Sequence, residues 1–209
     1  MKPAIKVLGV PDDINSSFLR GSSAAPPLIR EALYSASSNL FSESGLNLDQ
    51  KGIWEDLGDI EFAGQVAVEN FKKIKTFVKD VLVSDQKLVS LGGDHSVSWP
   101  ILDAHLDKWD ALDILHIDAH PDLYDSLLGN KLSHASPFAR IMETGRASRL
   151  VQVGIRTLNK HQREQAEKFG VEIYQMKDLT KLSSLSFSKP VYCSICLLYT
   201  SDAADEWIG

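Results

Sequence analysis

The chain has 209 residues, 44% hydrophobic and 24% charged, a balance that fits a globular domain and excludes a disordered or fibrous chain. Its 22 basic and 28 acidic residues leave a formal net charge of −6, so no basic surplus is available for a nucleic-acid backbone. No apolar run is long enough to span a bilayer, and the N-terminus shows neither a signal-type apolar stretch nor an Arg/Ser-rich extension. Cys193 and Cys196 form no disulfide framework. These features predict a soluble, acidic, cytoplasmic protein with no nucleic-acid and no membrane partner.

In chain order, AIKVLGV (4–10) reads as a strand, followed by a polar loop and a helix opened by Pro26 and Pro27, where a missing N–H costs nothing. Val66, Phe71, Ile74, Phe77, Val78 and Val81 recur at helical spacing between 62 and 82. KLVSL (87–91) is a strand that runs into Gly92 and Gly93, and DILHI (113–117) is a strand that ends in acids and histidine. LVQVGI (150–155), a helix over 161–169 closed by Gly170, VEIYQ (171–175) and PVYCSI (190–195) complete the series. Six strands with helices between most of them predict an α/β fold, three-layer α/β/α around a mainly parallel doubly wound sheet. Ligands of such sheets bind beyond the carboxyl ends of the strands, which is where GGDHS (92–96) and DAHPD (118–122) fall.

HIDAHPD sets Asp118, His120 and Asp122 at every second position, so at an extended strand end two carboxylates and an imidazole share one face. Acids held that close raise each other's pKa, a cost that a divalent cation removes. Carboxylate and imidazole donors without thiolate suit Mn2+ or a similar borderline-hard ion better than a structural Zn2+. The adjacent glycines of GGDHS let the backbone turn tightly and present His95 toward the same sheet edge. Two such motifs on consecutive strands, one crossover unit apart, point to a shared metal site.

GGDHS together with DAHPD resembles the ureohydrolase family of arginases, agmatinases and related manganese amidinohydrolases. NSSFLRG (15–21), APPLIREA (25–32), GNKLSHASPFARIMETG (129–145) and LVQVGIRTLN (150–159) are similar to its plant-type arginase branch and bacterial relatives, in order across residues 4–195. The resemblance implies an arginase-like fold and a site for two Mn2+, with His95 and Asp122 on one metal, His120 on the other and Asp118 bridging. A bridging hydroxide would then attack the guanidinium carbon of arginine or agmatine and release urea. His134 aligns with a family histidine near the substrate mouth, where proton shuttling or substrate contact is expected. Tyr124 stands in the substrate region and fits arginine and agmatine equally; Asp125 suits a cationic substrate or is a solvated loop charge. His105, His116 and His161 match no family ligand and read as structural, and Asp94 and Asp125 read as groups supporting the ligands. The family further implies a homo-oligomer, trimer or hexamer, acting in arginine or polyamine metabolism.

The family pattern continues after the last strand with S-I-D-x-D, whose two acids complete the metal site. Here Ser194 and Ile195 are followed by Cys196, Leu197 and Leu198. CLLYTSDAADE (196–206) resembles the translation of a transposase-type sequencing adapter. Residues 1–195 therefore read as the N-terminal two-thirds of a single domain, incomplete at the C-terminus, and 196–209 as a non-family tail. Asp202 and Asp205, three apart, are poor substitutes for the missing ligands. A non-catalytic fragment with a partial metal site is the competing reading. Cys193-x-x-Cys196 is weak as a zinc or redox half-site, because Cys193 reads as a small apolar residue on a buried strand.

Overall fold

A computed structural model describes residues 4–83 and 86–197. Strands β1 (Ile5–Val10), β2 (Trp54–Asp59) and β3 (Lys87–Gly92) form one sheet in the order β2-β1-β3. Strands β4 (Asp113–Ile117), β5 (Arg149–Ile155), β6 (Glu172–Gln175) and β7 (Val191–Ile195) form a second, in the order β6-β5-β4-β7. Every named strand pairing is parallel, as crossovers through helices require. The helices are α1 (Ala25–Leu33), α2 (Ala67–Leu82), α3 (Ser98–Lys108), α4 (Pro137–Glu143) and α5 (Lys160–Phe169).

Alternation along β1 separates two layers. Leu8 and Val10 enter a core with Phe71, Ile74, Val78 and Leu82 of α2, whereas Gly9, on the opposite face, lies against Pro26 of α1. The four α2 side chains recur every three or four residues, and burying each contributes roughly 1.5–3 kcal/mol. Helix α3 links the sheets: Ile101 and Ala104 join the first core, while Leu102 and Leu106 join a second with Ile114, Leu123, Phe138, Ile141 and Leu150. Asn159 and Gln162 cap α5 reciprocally, which fixes where its chain enters beside β5.

Two features differ from the sequence expectation. There are seven strands rather than six, because β2 (WEDLGD) is an acidic stretch with few β-forming residues; its parallel pairing with β1 and the ion pairs of Arg30 with Asp56 and Asp59 hold it in place. The strands also divide into two sheets, since no ladder joins β3 to β7 among the described residues. Between those two edges lies a groove of about 400 Å³, lined by Leu91 and Gly93 on one side and by Tyr192 and Ser194 on the other. Along β7, Tyr192 and Ser194 turn inward while Val191 and Ile195 are 42% and 59% exposed. Cys193 shares the open face and is exposed, not buried as expected, because nothing covers that side of the strand among the described residues.

Candidate metal centre

The carboxyl ends of β3 and β4 carry the centre. After β3 the chain makes a 3-10 turn, His95–Val97, capped by Asp94, whose carboxylate accepts from the Ser96 N–H at 2.9 Å and from the Ser16 hydroxyl at 3.1 Å. Gly93 is required by close approach rather than by turn geometry: a Cβ there would lie 2.1 Å from the Asp12 carbonyl oxygen. After β4, the Asp118 N–H donates to the Val153 carbonyl at 3.0 Å, so the ladder with β5 continues to the first acid of the motif. There Gly154 has φ +89°, and a side chain would meet the Asp118 carbonyl at 3.2 Å. Asp122 adopts a left-handed φ of 47°, unusual for a non-glycine residue and consistent with a functional constraint.

One group of metal-type side chains, among the described residues, has its donor atoms within 4.8 Å of one another: His95, His116, Asp118 and Asp122. His95 Nδ1 lies 2.6 Å from Asp122 Oδ2 and 3.3 Å from Asp118 Oδ2. Its Nε2 lies 3.0 Å from the Ser194 hydroxyl of β7. Burial alone would lower the His95 pKa, but hydrogen bonds to Asp118 and Asp122 outweigh it and raise the value to about 10. Burial would raise the Asp118 carboxyl, yet hydrogen bonds with His116, His120 and His95 hold it well below the usual carboxylate range. The imidazolium thus sits between two carboxylates where positive charge is most stabilised, and such a donor set suits a divalent cation.

Of the sequence-predicted ligands, His95, Asp118 and Asp122 converge. His120 stands at their edge, its Nδ1 3.5 Å from Asp118 Oδ1 and its backbone N–H donating to that oxygen at 2.9 Å. His116, read as merely structural, lies inside the cluster, with Nε2 3.1 Å from Asp118 Oδ2. The signal was the two-residue alternation that puts positions 116 and 118 on one face of β4. His134 is tied to the 15–17 loop, its Nδ1 accepting from the Ser17 N–H at 3.2 Å. Tyr124 receives a hydrogen bond from Asn159 and stacks on His161 at 5.6 Å. Asp125 pairs with Arg140 at 3.3 Å and accepts nothing from the metal-type cluster, while Asp94 supports the His95 turn. His105 is buried in α3, bonded to the Ile101 carbonyl and stacked on Trp109. Asp202, Asp205 and Glu206 lie outside the described residues.

A parallel α/β domain with imidazole and carboxylate donors gathered beyond two strand ends has the layout of an α/β fold that carries a metal-type site at its strand ends. Within that class the assignment is specific: the chain matches the family model "Arginase family" over residues 3–198 and belongs to that family. It is 46% identical to Arginase 1, mitochondrial, of Oryza sativa subsp. indica, covering 93% of this chain and 62% of the rice protein. It is 36% identical to the N(1)-aminopropylagmatine ureohydrolase of Thermus thermophilus, covering 81% of this chain and 57% of that one. Among solved structures, the arginase from Medicago truncatula superposes with a TM-score of 0.81 at 44% identity, covering 86% of this chain and 59% of that chain. The chain thus spans about three fifths of the length of the relatives it matches. The expectation of a cytoplasmic protein is overturned by the plant relatives, since the rice arginase is named mitochondrial. Composition and thiol content describe a folded domain and carry no address; addresses are separate segments.

Proposed function

We propose that the protein is a Mn2+-dependent ureohydrolase that hydrolyses arginine, with agmatine as the second candidate, to an amine and urea. The carrying observation is the convergence of His95, Asp118 and Asp122 beyond β3 and β4 in a chain of the arginase family. In this reading His95, Asp118, His120 and Asp122 would hold the metal. A divalent cation supplies Lewis acidity for attack of water on a guanidinium carbon. His134, anchored through Nδ1 to the 15–17 loop, has Nε2 as the atom to move a proton or contact substrate. Tyr124, held by Asn159 and His161, and Asp125 stand as substrate contacts. Arginine is placed first because the plant relatives are named arginase, and agmatine second because the bacterial relative is named for an agmatine derivative.

A specific observation favours a second reading for the 209-residue chain itself, a non-catalytic fragment with a partial site. His116 pairs with Ser194 and Ile117 with Ile195, so position 196 falls beside Asp118 in register. Cys196 stands there in place of an acid.

The test is urea release by the domain completed through its C-terminal third, loaded with Mn2+ and offered arginine, agmatine and guanidinobutyrate in turn. Asp118→Ala is expected to lower turnover by at least about 1000-fold, the scale of losing a metal-held catalytic centre. His105→Ala is expected to leave the rate within a few-fold. No urea from any substrate with metal bound removes the ureohydrolase reading, and equal losses from both variants mean that the metal centre lies elsewhere.

A further inference from the structure

Behind the donor cluster, three neighbouring strands place polar residues at one register: Gln152 of β5, His116 of β4 and Ser194 of β7. Gln152 and His116 are fully buried. The Gln152 side-chain nitrogen lies 2.6 Å from the Pro121 carbonyl oxygen and 3.1 Å from His116 Nδ1. Its Oε1 is buried with no hydrogen-bond partner among the described residues. A carbonyl oxygen only accepts, so the amide nitrogen must face Pro121, and its second hydrogen is directed at His116 Nδ1. Nδ1 is then an acceptor, and the proton of the neutral ring sits on Nε2, 3.1 Å from Asp118 Oδ2. An Nε2 that donates to a carboxylate offers no lone pair to a cation, so His116 is no ligand although it lies within the cluster. Phe138 packs against the His116 ring at 4.1 Å and the His95 ring at 5.4 Å, which confines both imidazoles.

We propose that Gln152 and His116 are a positioning pair for the metal centre: Gln152 selects the Nε2–H form of His116, and His116 in turn orients the Asp118 carboxylate. Gln152 also braces the Pro121 carbonyl, next to the left-handed Asp122, so one buried amide sets both acids. The pair acts through Asp118 and the 121–122 turn and touches neither cation nor substrate. It rests on the metal-dependent reading of the cluster, and orienting neighbours of metal ligands characteristically tune affinity in this way.

The experiment uses the 209-residue chain. Long-range 1H–15N NMR of the metal-free chain at pH 7.5 is expected to show His116 as the Nε2–H form. Mn2+ binding, read from the EPR signal of free Mn2+, is expected to weaken about 10–100-fold in Gln152→Leu and in His116→Phe. The double variant is expected to lose much less than the sum of the two. His105→Phe, at a buried histidine of α3 bonded to the Ile101 carbonyl and outside the donor cluster, serves as control and is expected to bind Mn2+ as wild type does. An Nδ1–H or doubly protonated ring in the wild-type chain, or unchanged affinity in Gln152→Leu, overturns the pair. The wild-type NMR needs no variant, so a Gln152→Leu chain that fails to fold leaves that readout standing. A wild-type chain that shows the Nε2–H ring and takes up no Mn2+ overturns the metal reading, and with it the purpose of the pair.

Discussion

At the scale of single residues, His95 is the group whose protonation is coupled most directly to the centre. Its Nδ1 lies 2.6 Å from Asp122 Oδ2 and 3.3 Å from Asp118 Oδ2, and a cation bound at that nitrogen must displace its proton. The folded pKa of about 10 is raised above the ordinary 6.5, so its contribution to stability is fully present below pH 6.5 and is lost as pH rises through 10. Asp118 works in the opposite direction: its depressed carboxyl contributes above the ordinary 3.8, and that contribution is lost as pH falls through the folded value. His116, pushed down by burial, adds to the loss on the acid side of 6.5. Melting of the metal-free chain is therefore expected to be highest near pH 6.5 and to decline toward pH 10. Mn2+ affinity should instead rise with pH, by about tenfold per unit between 6.5 and 9, because one proton is released per ion bound. Mixing Mn2+ with the chain at pH 7.5 in weak buffer, followed with an indicator dye, checks this. Uptake of metal with no proton released would show that His95 is not a ligand.

At the scale of elements, the two motifs that carry the site were legible because each follows a strand whose apolar run is unambiguous. The role of Gly93 was legible only in part. GGDHS suggested a turn, whereas the structure shows the loop after β1 pressed against Gly93, a long-range contact invisible in a local pattern. The two glycines are accordingly not equivalent. Gly93→Ala would set a Cβ 2.1 Å from the backbone oxygen of Asp12, while Gly92→Ala would meet only the Val97 side chain at 3.3 Å. Gly93→Ala is expected to cost at least about 2 kcal/mol, as overpacking against fixed backbone does, and Gly92→Ala less than about 1 kcal/mol. Urea denaturation of the two variants measures the difference, and equal costs would mean that the 10–13 loop yields freely. Strand β2 was missed because its residues are acidic and it is held by Arg30 from another element. The link from Gln152 to Asp118 was missed because it depends on the register between β4 and β5, which fixes which side chains are neighbours across strands.

At the scale of the whole molecule, the separation of the two sheets and the residue at position 196 bear on one outcome. The edges of β3 and β7 flank a groove of about 400 Å³, and the outward side chains of β7 are exposed. Strand edges with no ladder partner among the described residues, beside apolar surface, are open to further pairing, and the chain spans 62% of its rice relative. Along β7, Ser194 reaches His95, and position 196 lies two residues further on the same face, beside Asp118 in register. In the proposed metal-dependent reading, Cys196 there instead of a carboxylate leaves His95, Asp118, His120 and Asp122 one acidic donor short of a full set for two cations. The 209-residue chain is therefore expected to bind at most one Mn2+, to release no urea from arginine or agmatine, and to bind an apolar dye in the open groove. Cys196→Asp is expected to tighten Mn2+ binding about tenfold, the scale of one added charge-assisted contact, without restoring turnover. Metal content by atomic emission, a urea assay at saturating Mn2+ and dye fluorescence together decide the point. Two tightly held Mn2+ per chain with measurable urea release would show that ligands for the second cation come from the residues beyond 197, and that the domain is functionally complete without the remaining length of its relatives.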